Sequence, residues 1–462
     1  MLHSNEITFN KCMYMILGWT LTSLSLTMSL SIPNPCLRRL SRAHLKRHNL
    51  PFSTHLHETK NMDQPSQTKA RNIAIVGGGL AGLSATYHLL QKSIDDPNLE
   101  MPEITIIDKA KPGLGGASSV AGGLLHPFSP RGKLINLGLE GLEASNSLID
   151  VASEHESSCI LREKIYRLAL SEKNVMQLTD TSSLYPKYAT WLTSEEIQER
   201  CGSSSSNLGG IVLSSGCKVI HVPTYLQGLW KACQHMSNGT AIWSIEENAS
   251  SSSATESKDF WKQRLLQFDT VIFAAGSALF HDSILHKDAI DFPADLVRGQ
   301  SIEVSVQQND AVSSSDFRNE ATLCGKYVVP LPKQNHVLIG ATHEFKPDPL
   351  NEQEVVEDLR GKCYNMSPFV WESGNVHKIT EGYRVQTTRG KYGRMPIIGK
   401  SLYNDLHTNS WLFTGLSSRG LVYHGVYGNA LSQAILKGDE NEIIDKIPDA
   451  LWWKDRKTSK LR

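Results

Sequence analysis

Arg71-Asn-Ile-Ala-Ile-Val76-Gly77-Gly78-Gly79-Leu80-Ala81-Gly82 runs from a short apolar stretch of strand length directly into a glycine-rich turn. Beyond it, Leu83, Tyr87 and Leu90 repeat at helical spacing. Strand, G-x-G-x-x-G and helix in this order form the dinucleotide-binding fingerprint, and each glycine has a separate task. Gly77 permits the tight turn, Gly79 lets backbone approach a pyrophosphate, and Gly82 lets the helix pack closely on the strand. Leu80 and Ala81 open the helix, whose N-terminal N–H groups favour phosphate charge. A second apolar run, Ile104-Thr-Ile-Ile-Asp108, ends in the acid expected to take ribose hydroxyls. Its distance from the glycines is somewhat long, and the polar stretch Ser93–Glu100 accounts for this as a loop. An acid at that position disfavours a 2′-phosphate, so NADP is not expected. FAD and NAD both remain open at this point.

Outside this element the chain divides unevenly. Of 47 Lys/Arg and 47 Asp/Glu, residues 1–70 hold eight and three, leaving 39 against 44, a net of −5, in the body. A mildly acidic body argues against broad polyanion binding, so nucleic acid is not an expected partner. Up to His57 the only acid is Glu6, among Lys11, Arg38, Arg39, Arg42, Lys46 and Arg47 with many Ser, Thr and Leu. That composition is the one expected of an organellar transit peptide. The chloroplast is placed ahead of the mitochondrion, although composition does not separate them. Two alternatives stay open: an inert tail, or an anchor formed by uncharged Met13 to Ile32, which is long enough to span a bilayer but rich in Ser and Thr.

Eight cysteines are spread with no pair closer than sixteen positions, so no C-x-x-C is present and reduced, buried thiols are expected. No clustered His/Cys/Asp pattern suggests a metal. The serine runs Ser203–Ser206 and Ser250–Ser253 read as loop insertions, and the basic residues Lys454, Arg456, Lys457, Lys460 and Arg462 read as a solvated tail.

Four further segments carry a family resemblance. Gly116-Ala-Ser-Ser-Val-Ala-Gly-Gly-Leu-Leu125 resembles the segment that follows the acidic strand in D-amino-acid-oxidase-type flavoproteins. Val271-Ile-Phe-Ala-Ala-Gly276 resembles the strand that closes their FAD domain. Tyr327–Pro330 with Val337-Leu-Ile-Gly-Ala-Thr342 resembles their substrate-sheet hairpin. Glu381-Gly-Tyr-Arg384, Met395-Pro-Ile-Ile-Gly399 and Thr414-Gly-Leu-Ser-Ser-Arg-Gly-Leu421 resemble their C-terminal signature. Within the family the last element is most similar to the oxidase domain of the bacterial bifunctional enzyme that finishes a modified wobble uridine in tRNA. Two features depart from the pattern. Ser418 stands where glycine oxidases place an arginine, and Thr388–Arg394 is longer and more basic than usual.

The resemblance implies an α/β fold: a Rossmann-like FAD-binding domain with a discontinuous α+β substrate domain built on a mostly antiparallel sheet. The FAD-binding part would take residues 71–150, 216–290 and 376–440, and the substrate part 151–215 and 291–375. Residues 1–70 would be a leader and 441–462 a tail. Asn351–Tyr364 has an amphipathic helical pattern inside the substrate part.

Bound non-covalently, FAD would lie on Gly77, Gly79, Leu80, Ala81, Gly82, Asp108, Ser118, Ser119, Gly123, Leu124, Gly276, Gly415, Gly420 and Leu421. Val120 stands where a histidine-linked relative carries its anchor, and no cysteine follows Cys363. The implied activity is oxidation of the C–N bond of a small amino acid or N-substituted glycine, with hydride passing to flavin and molecular oxygen as acceptor. A tRNA-modifying oxidase acting on a carboxymethylamino group and a flavin-binding protein without turnover are the alternatives. Such chemistry needs few protein acids or bases, but it needs a fixed cation for a substrate carboxylate. Arg384, whose planar fork binds both carboxylate oxygens, is the first candidate and Arg419 the second. Tyr327, Tyr383, Tyr423 and Tyr427 are candidate walls, while His126 and His424 read as hydrogen-bonded structural residues rather than bases.

Overall fold

The Asn72–Val76 strand is buried at every position after Asn72, as a central parallel strand covered on both faces must be. Its parallel neighbours are Glu103–Asp108 and Thr270–Phe273. These lie within a six-stranded sheet ordered Ile397–Lys400, Ser410–Thr414, Thr270–Phe273, Asn72–Val76, Glu103–Asp108, Ile242–Ile245. All neighbours run parallel except the antiparallel edge strand Ile397–Lys400. The computed structural model describes residues 72–246, 254–281, 292–306, 317–346, 348–402 and 405–454. The leader, Ser250–Ser253 and the tail beyond Lys454 lie outside the described residues.

Strand alternation sorts the core into two layers. Ile73 and Ile75 face the helices Leu80–Asp95 and Gly420–Lys437, whereas Ala74 and Val76 pack with Trp261, Phe273 and Trp453 on the other side. The two helices approach closely because both are rich in small residues. Ser84 Oγ donates to the His424 carbonyl at 2.7 Å and Ser432 Oγ to that of Ala85 at 3.1 Å. A Cβ at Gly428 would stand 2.2 Å from Ser84 Oγ. His424 fixes the start of its helix. Its Nδ1–H faces the carbonyls of Leu421 and Gly420 at 3.0 and 3.1 Å, so Nε2 is left to accept from the Tyr225 hydroxyl at 2.6 Å. Burial holds this imidazole down to about 4, neutral at pH 7.

A second sheet has eight strands, ordered Gly374–Thr387, Ala294–Val306, His336–Gly340, Lys326–Pro330, Thr322–Cys324, Ile165–Leu168, Gly210–Leu213, Ala189–Leu192. Every pairing is antiparallel except that of Thr322–Cys324 with Ile165–Leu168. Val355, Leu359 and Cys363 of the amphipathic helix Glu352–Cys363 join Ile302, Val304, Val337 and Ile339 in one core. Asn351 and Glu354 form a reciprocal capping box at its start. A small three-stranded sheet of Leu124–Leu125, Lys218–Ile220 and Ile160–Arg162 stands beside the two large ones. The division is therefore the expected α/β one, with a Rossmann-like parallel sheet and a mostly antiparallel second sheet.

Residues 376–387, which the sequence reading gave to the FAD part, belong to the Gly374–Thr387 strand, which pairs with Ala294–Val306 across one register shift at Glu303/Val304. The first helix continues to Asp95, carried by Ser93 Oγ donating to Leu89 and by Gln91 donating to Asp95, so the loop starts at Asp96. Six described cysteines are free thiols, five of them buried. Among the described residues no helix is long and apolar enough to cross a membrane.

Candidate active site

One cavity of about 760 Å³ runs from the glycine turn to the inner wall of the eight-stranded sheet. Its nucleotide end is shaped by backbone proximity. Gly77 has φ +105°, and a Cβ there would lie 2.4 Å from Ala275 Cα. A Cβ on Gly82 would lie 1.8 Å from the Gly77 carbonyl oxygen, whereas one on Gly79 meets only Ser118 Oγ at 3.0 Å. The Leu80–Asp95 helix has no side-chain cap and no acid in its first turn, so its N-terminal dipole is left for a ligand. Asp108 is held in place by Gly78 N–H at 2.7 Å on one carboxylate oxygen and Ala110 N–H at 2.9 Å on the other. Each oxygen keeps a further lone pair for a hydroxyl.

The middle of the cavity is bordered by Gly116 and Ala117, Ser118 and Val120–Leu124. Gly123, at φ +70°, lies so close to the Ile220 carbonyl that a Cβ would fall 1.8 Å from its oxygen. The ring of Tyr327 covers Gly122, 2.7 Å from where a Cβ would be, and its hydroxyl meets Ser301 Oγ at 3.2 Å.

Arg384 lies on the inner face of the long edge strand. Gly382 shares that face and has Val120 and Ala117 against it, and a Cβ on its cross-strand partner Gly299 would stand 3.3 Å from Arg384 Nη2, so glycine at 299 leaves room for the guanidinium. Arg384 Nη2 approaches His343 Nδ1 at 3.4 Å, and its buried Nε has no hydrogen-bond partner. No carboxylate lies within ion-pair reach of it among the described residues. Burial pushes its pKa below the ordinary guanidinium value, with Tyr327 acting in the opposite direction. His343 is lowered by burial and then by the charge of Arg384, so it is a neutral acceptor beside the arginine.

On the opposite face of that strand, Tyr383 accepts from Arg298 Nε at 2.7 Å, and Arg298 in turn faces Glu344 at 3.6 Å and Glu381 at 3.9 Å. Glu381 is thus turned to Arg298 rather than to Arg384.

Arg419 is the N-cap residue of the Gly420–Lys437 helix and donates to the Tyr423 hydroxyl at 3.2 Å. This helix also lacks a side-chain cap and first-turn acid. His126 borders the same region. Its Nδ1 accepts from Phe128 N–H at 3.3 Å, and burial, then Arg167 and Arg419, hold it down to about 3.

Of the residues singled out from sequence, Gly77, Gly79, Leu80, Ala81, Asp108, Ser118, Gly123, Leu124, Gly276, Arg384, Gly415, Arg419, Gly420 and Leu421 all line this one cavity. Gly82 does not. Its place is behind the turn. Ser119 is also outside the lining, its hydroxyl donating to Gly116 O at 2.9 Å. Tyr327 and Tyr383 border the cavity, while Tyr423 and Tyr427 are buried within their helix. The lining also includes Arg167, Lys326, His343 and Glu246, which the sequence reading did not single out. Arg167 alone left a trace, as a lone cation inside the apolar strand Ile165–Leu168. It donates to the carbonyls of Ser129 and Pro130 and so braces the loop that carries His126.

These residues fit FAD. The glycine cradle, the uncapped helix start and Asp108 suit an ADP half, and the cavity volume is that of a cofactor site. Among the described residues no cysteine lines the cavity. Acid precipitation of the yellow protein is therefore expected to leave the flavin in the supernatant. Colour retained in the pellet would overturn non-covalent binding and point to His126 or His343, the histidines in the lining.

The comparisons with known proteins agree with this geometry. A glycine oxidase from Geobacillus kaustophilus superposes with a TM-score of 0.59 at 19% identity, covering 81% of this chain and 96% of its own. An iminodiacetate oxidase from Chelativorans sp. BNC1 gives 0.59 at 16% identity, with 79% and 95% covered. The deglycating fructosamine oxidase from Aspergillus fumigatus gives 0.58 at 14%, with 83% and 91% covered. At these identities the likeness is one of fold. No curated protein matches the chain in sequence. The model of the DAO family, described as FAD dependent oxidoreductase, matches residues 72–434, and the chain belongs to that family.

Proposed function

We propose that the protein oxidises the C–N bond of a small amino acid or N-substituted glycine, passing a hydride to FAD and electrons onward to molecular oxygen. The observation that carries this reading is Arg384, a half-buried guanidinium in the cofactor cavity whose buried Nε has no hydrogen-bond partner and which has no carboxylate beside it among the described residues. A cation in that setting is best satisfied by a ligand carboxylate bound through both oxygens. The activities of the structural neighbours, a glycine oxidase, an iminodiacetate oxidase and a fructosamine oxidase, support an amine as the reacting group.

When bound, FAD supplies the hydride acceptor. The chain's own residues supply position and charge. Arg384 fixes the carboxylate, which leaves the adjacent C–H and amine to be set by the walls at Tyr327 and His343. The positive field of Arg384, Arg419 and the Gly420–Lys437 helix start favours the neutral amine over the ammonium, and the neutral lone pair is what hydride loss requires. No protein base needs to sit at the carbon.

The test is a panel of amino acids, N-substituted glycines and 2-hydroxy acids mixed anaerobically with the yellow protein, followed by air. Amines should bleach the flavin, and air should restore it with release of peroxide. Bleaching by 2-hydroxy acids but by no amine would overturn the reading, and bleaching by amines without reoxidation by air would remove oxygen as acceptor.

A further inference from the structure

The charges that line the cavity are distributed in a way that a monocarboxylic amino acid does not satisfy. Among the described residues the carboxylates in the lining are Asp108 and Glu246, and both stand at the nucleotide end, where Glu246 N–H donates to the Asp108 carbonyl at 2.9 Å. The other end holds Arg167, Lys326, Arg384 and Arg419. Two of these are already committed. Arg167 is spent on the carbonyls of Ser129 and Pro130, and Lys326 donates to the Ala341 carbonyl and faces Asp358 at 3.7 Å. Arg384 and Arg419 are not. Their hydrogen-bond partners are neutral, His343 for one and the Tyr423 hydroxyl for the other.

Among the described residues no carboxylate pairs with Arg419, and the local chain adds to its charge. It caps a helix start, which is itself electropositive. A tight turn, closed on itself by paired Gly390–Gly393 backbone bonds of 2.8 and 3.0 Å, stands beside it, and a Cβ on Gly393 would be 3.7 Å from Arg419 Nη1. That turn carries Lys391 and is flanked by Arg389 and Arg394, the basic insertion that the sequence already set apart. His126, neutral and with Nδ1 occupied, leaves Nε2–H as a further donor in the lining.

The two arginines are also close enough for one small ligand. Ser417 N–H donates to the Val385 carbonyl at 3.2 Å, which joins the two segments that carry them. Chain geometry then keeps the Cα atoms of Arg384 and Arg419 within about 16 Å, a span that two extended arginine side chains and a few bonds of ligand can bridge.

We propose that the substrate carries a second anionic group, and that Arg419 binds it while Arg384 holds the carboxylate beside the reacting carbon. The substrate class is then an amine with two acidic groups: a dicarboxylic amino acid, an N-carboxyalkyl amino acid or an analogue with a terminal phosphate. This rests on the amine-oxidase reading above and narrows it.

The test uses unreactive probes and the absorbance of the bound flavin. Glutarate is expected to bind the yellow holoprotein at least about tenfold more tightly than butyrate, the gain of one charge-assisted contact. 4-Phosphonobutyrate beside glutarate distinguishes a phosphate from a carboxylate as the second group. In Arg419→Gln the glutarate affinity should fall to that of butyrate, while butyrate itself changes less than threefold, and Arg419→Lys should keep part of the preference. Equal binding of glutarate and butyrate by the unaltered protein overturns the proposal without any variant, as does a preference that survives in Arg419→Gln protein with full flavin content. The two readings fail differently. If butyrate binds and monocarboxylic amines bleach the flavin as fast as dicarboxylic ones, only the second anionic group is lost. If no carboxylate perturbs the flavin and no amine bleaches it, the amine-oxidase reading has failed and takes this one with it.

Discussion

Arg384→Ala is expected to abolish useful turnover of a carboxylate substrate while the protein stays yellow. The arginine touches neither the glycine turn nor Asp108, so FAD has no reason to leave. The substrate loses its anchor instead, and its carboxylate would be buried beside His343 and Tyr327 with no charge of opposite sign from Arg384. A desolvated charge-assisted pair of this kind is worth about 2–5 kcal/mol, which corresponds to roughly 30- to several-thousand-fold in kcat/KM. Arg384→Lys should fall between. Lysine keeps the charge but not the planar fork, so the carboxylate is held at one point and the reacting carbon swings. The flavin spectrum is the control, because loss of FAD would signal misfolding rather than a lost substrate contact. An Arg384→Ala protein that stays yellow and oxidises its amine at the unaltered rate would remove this residue from the mechanism. Arg419 would then be the leading carboxylate ligand.

That prediction depends on a face assignment that periodicity alone did not supply. Arg384 was picked for the Glu381-Gly-Tyr-Arg384 motif, but whether it faced Glu381 or the cavity turned on strand pairing. In a strand, residues two apart share a face, so Gly382 goes with Arg384, and Tyr383 goes with Glu381 and Arg298. The structure sets the acid and the arginine on opposite sides. Local signals were readable where they were short and self-contained: the turn at Gly77, the acid at the end of Glu103–Asp108, and the amphipathic pattern of the Glu352–Cys363 helix. Each needs only a few adjacent residues.

What escaped was set by pairing between distant segments. Thr322–Cys324 lies beside Ile165–Leu168, which brings Arg167 and the His126 loop to the same cavity as Lys326 across more than 150 positions. No periodicity within either strand encodes that neighbour. The length of the Gly374–Thr387 strand was hidden for the same reason, since it is Ala294–Val306 that carries the pairing to Thr387. Tyr423 and Tyr427, candidate walls by sequence, are buried in a helix of small residues. Its burial comes from both sides, by the Leu80–Asp95 helix at Gly428 and by Ala144 at Gly425.

Gly82→Ala is expected to cost both stability and FAD, whereas Gly79→Ala should cost FAD alone. The two glycines belong to one motif yet do different work. A methyl group on Gly82 would stand 1.8 Å from the Gly77 oxygen and 3.2 Å from Ile75 Cγ2. The oxygen cannot retreat, since Gly77 N–H is bound to Ile107 O at 2.8 Å and Gly78 N–H to Asp108 at 2.7 Å. The helix must move off the strand instead, against the Ser84–His424 and Ser432–Ala85 bonds that hold it to its neighbour. Overpacking of this kind costs about 1–3 kcal/mol. The part of that strain borne by the flavin-free fold lowers its melting, and the part added on binding weakens FAD, by at most about 150-fold for 3 kcal/mol. Gly79 is different. Its φ of −76° suits any residue, and a Cβ there meets only a serine hydroxyl. The methyl would project where the backbone must approach the pyrophosphate, and nothing in the core would be disturbed. Thermal unfolding of the flavin-free proteins and the flavin-to-protein ratio after dialysis separate the two effects. A Gly82→Ala protein with unchanged melting and full flavin would show that strand and helix do not need this close contact. A Gly79→Ala protein that keeps its FAD would place the pyrophosphate elsewhere along the Leu80–Asp95 helix.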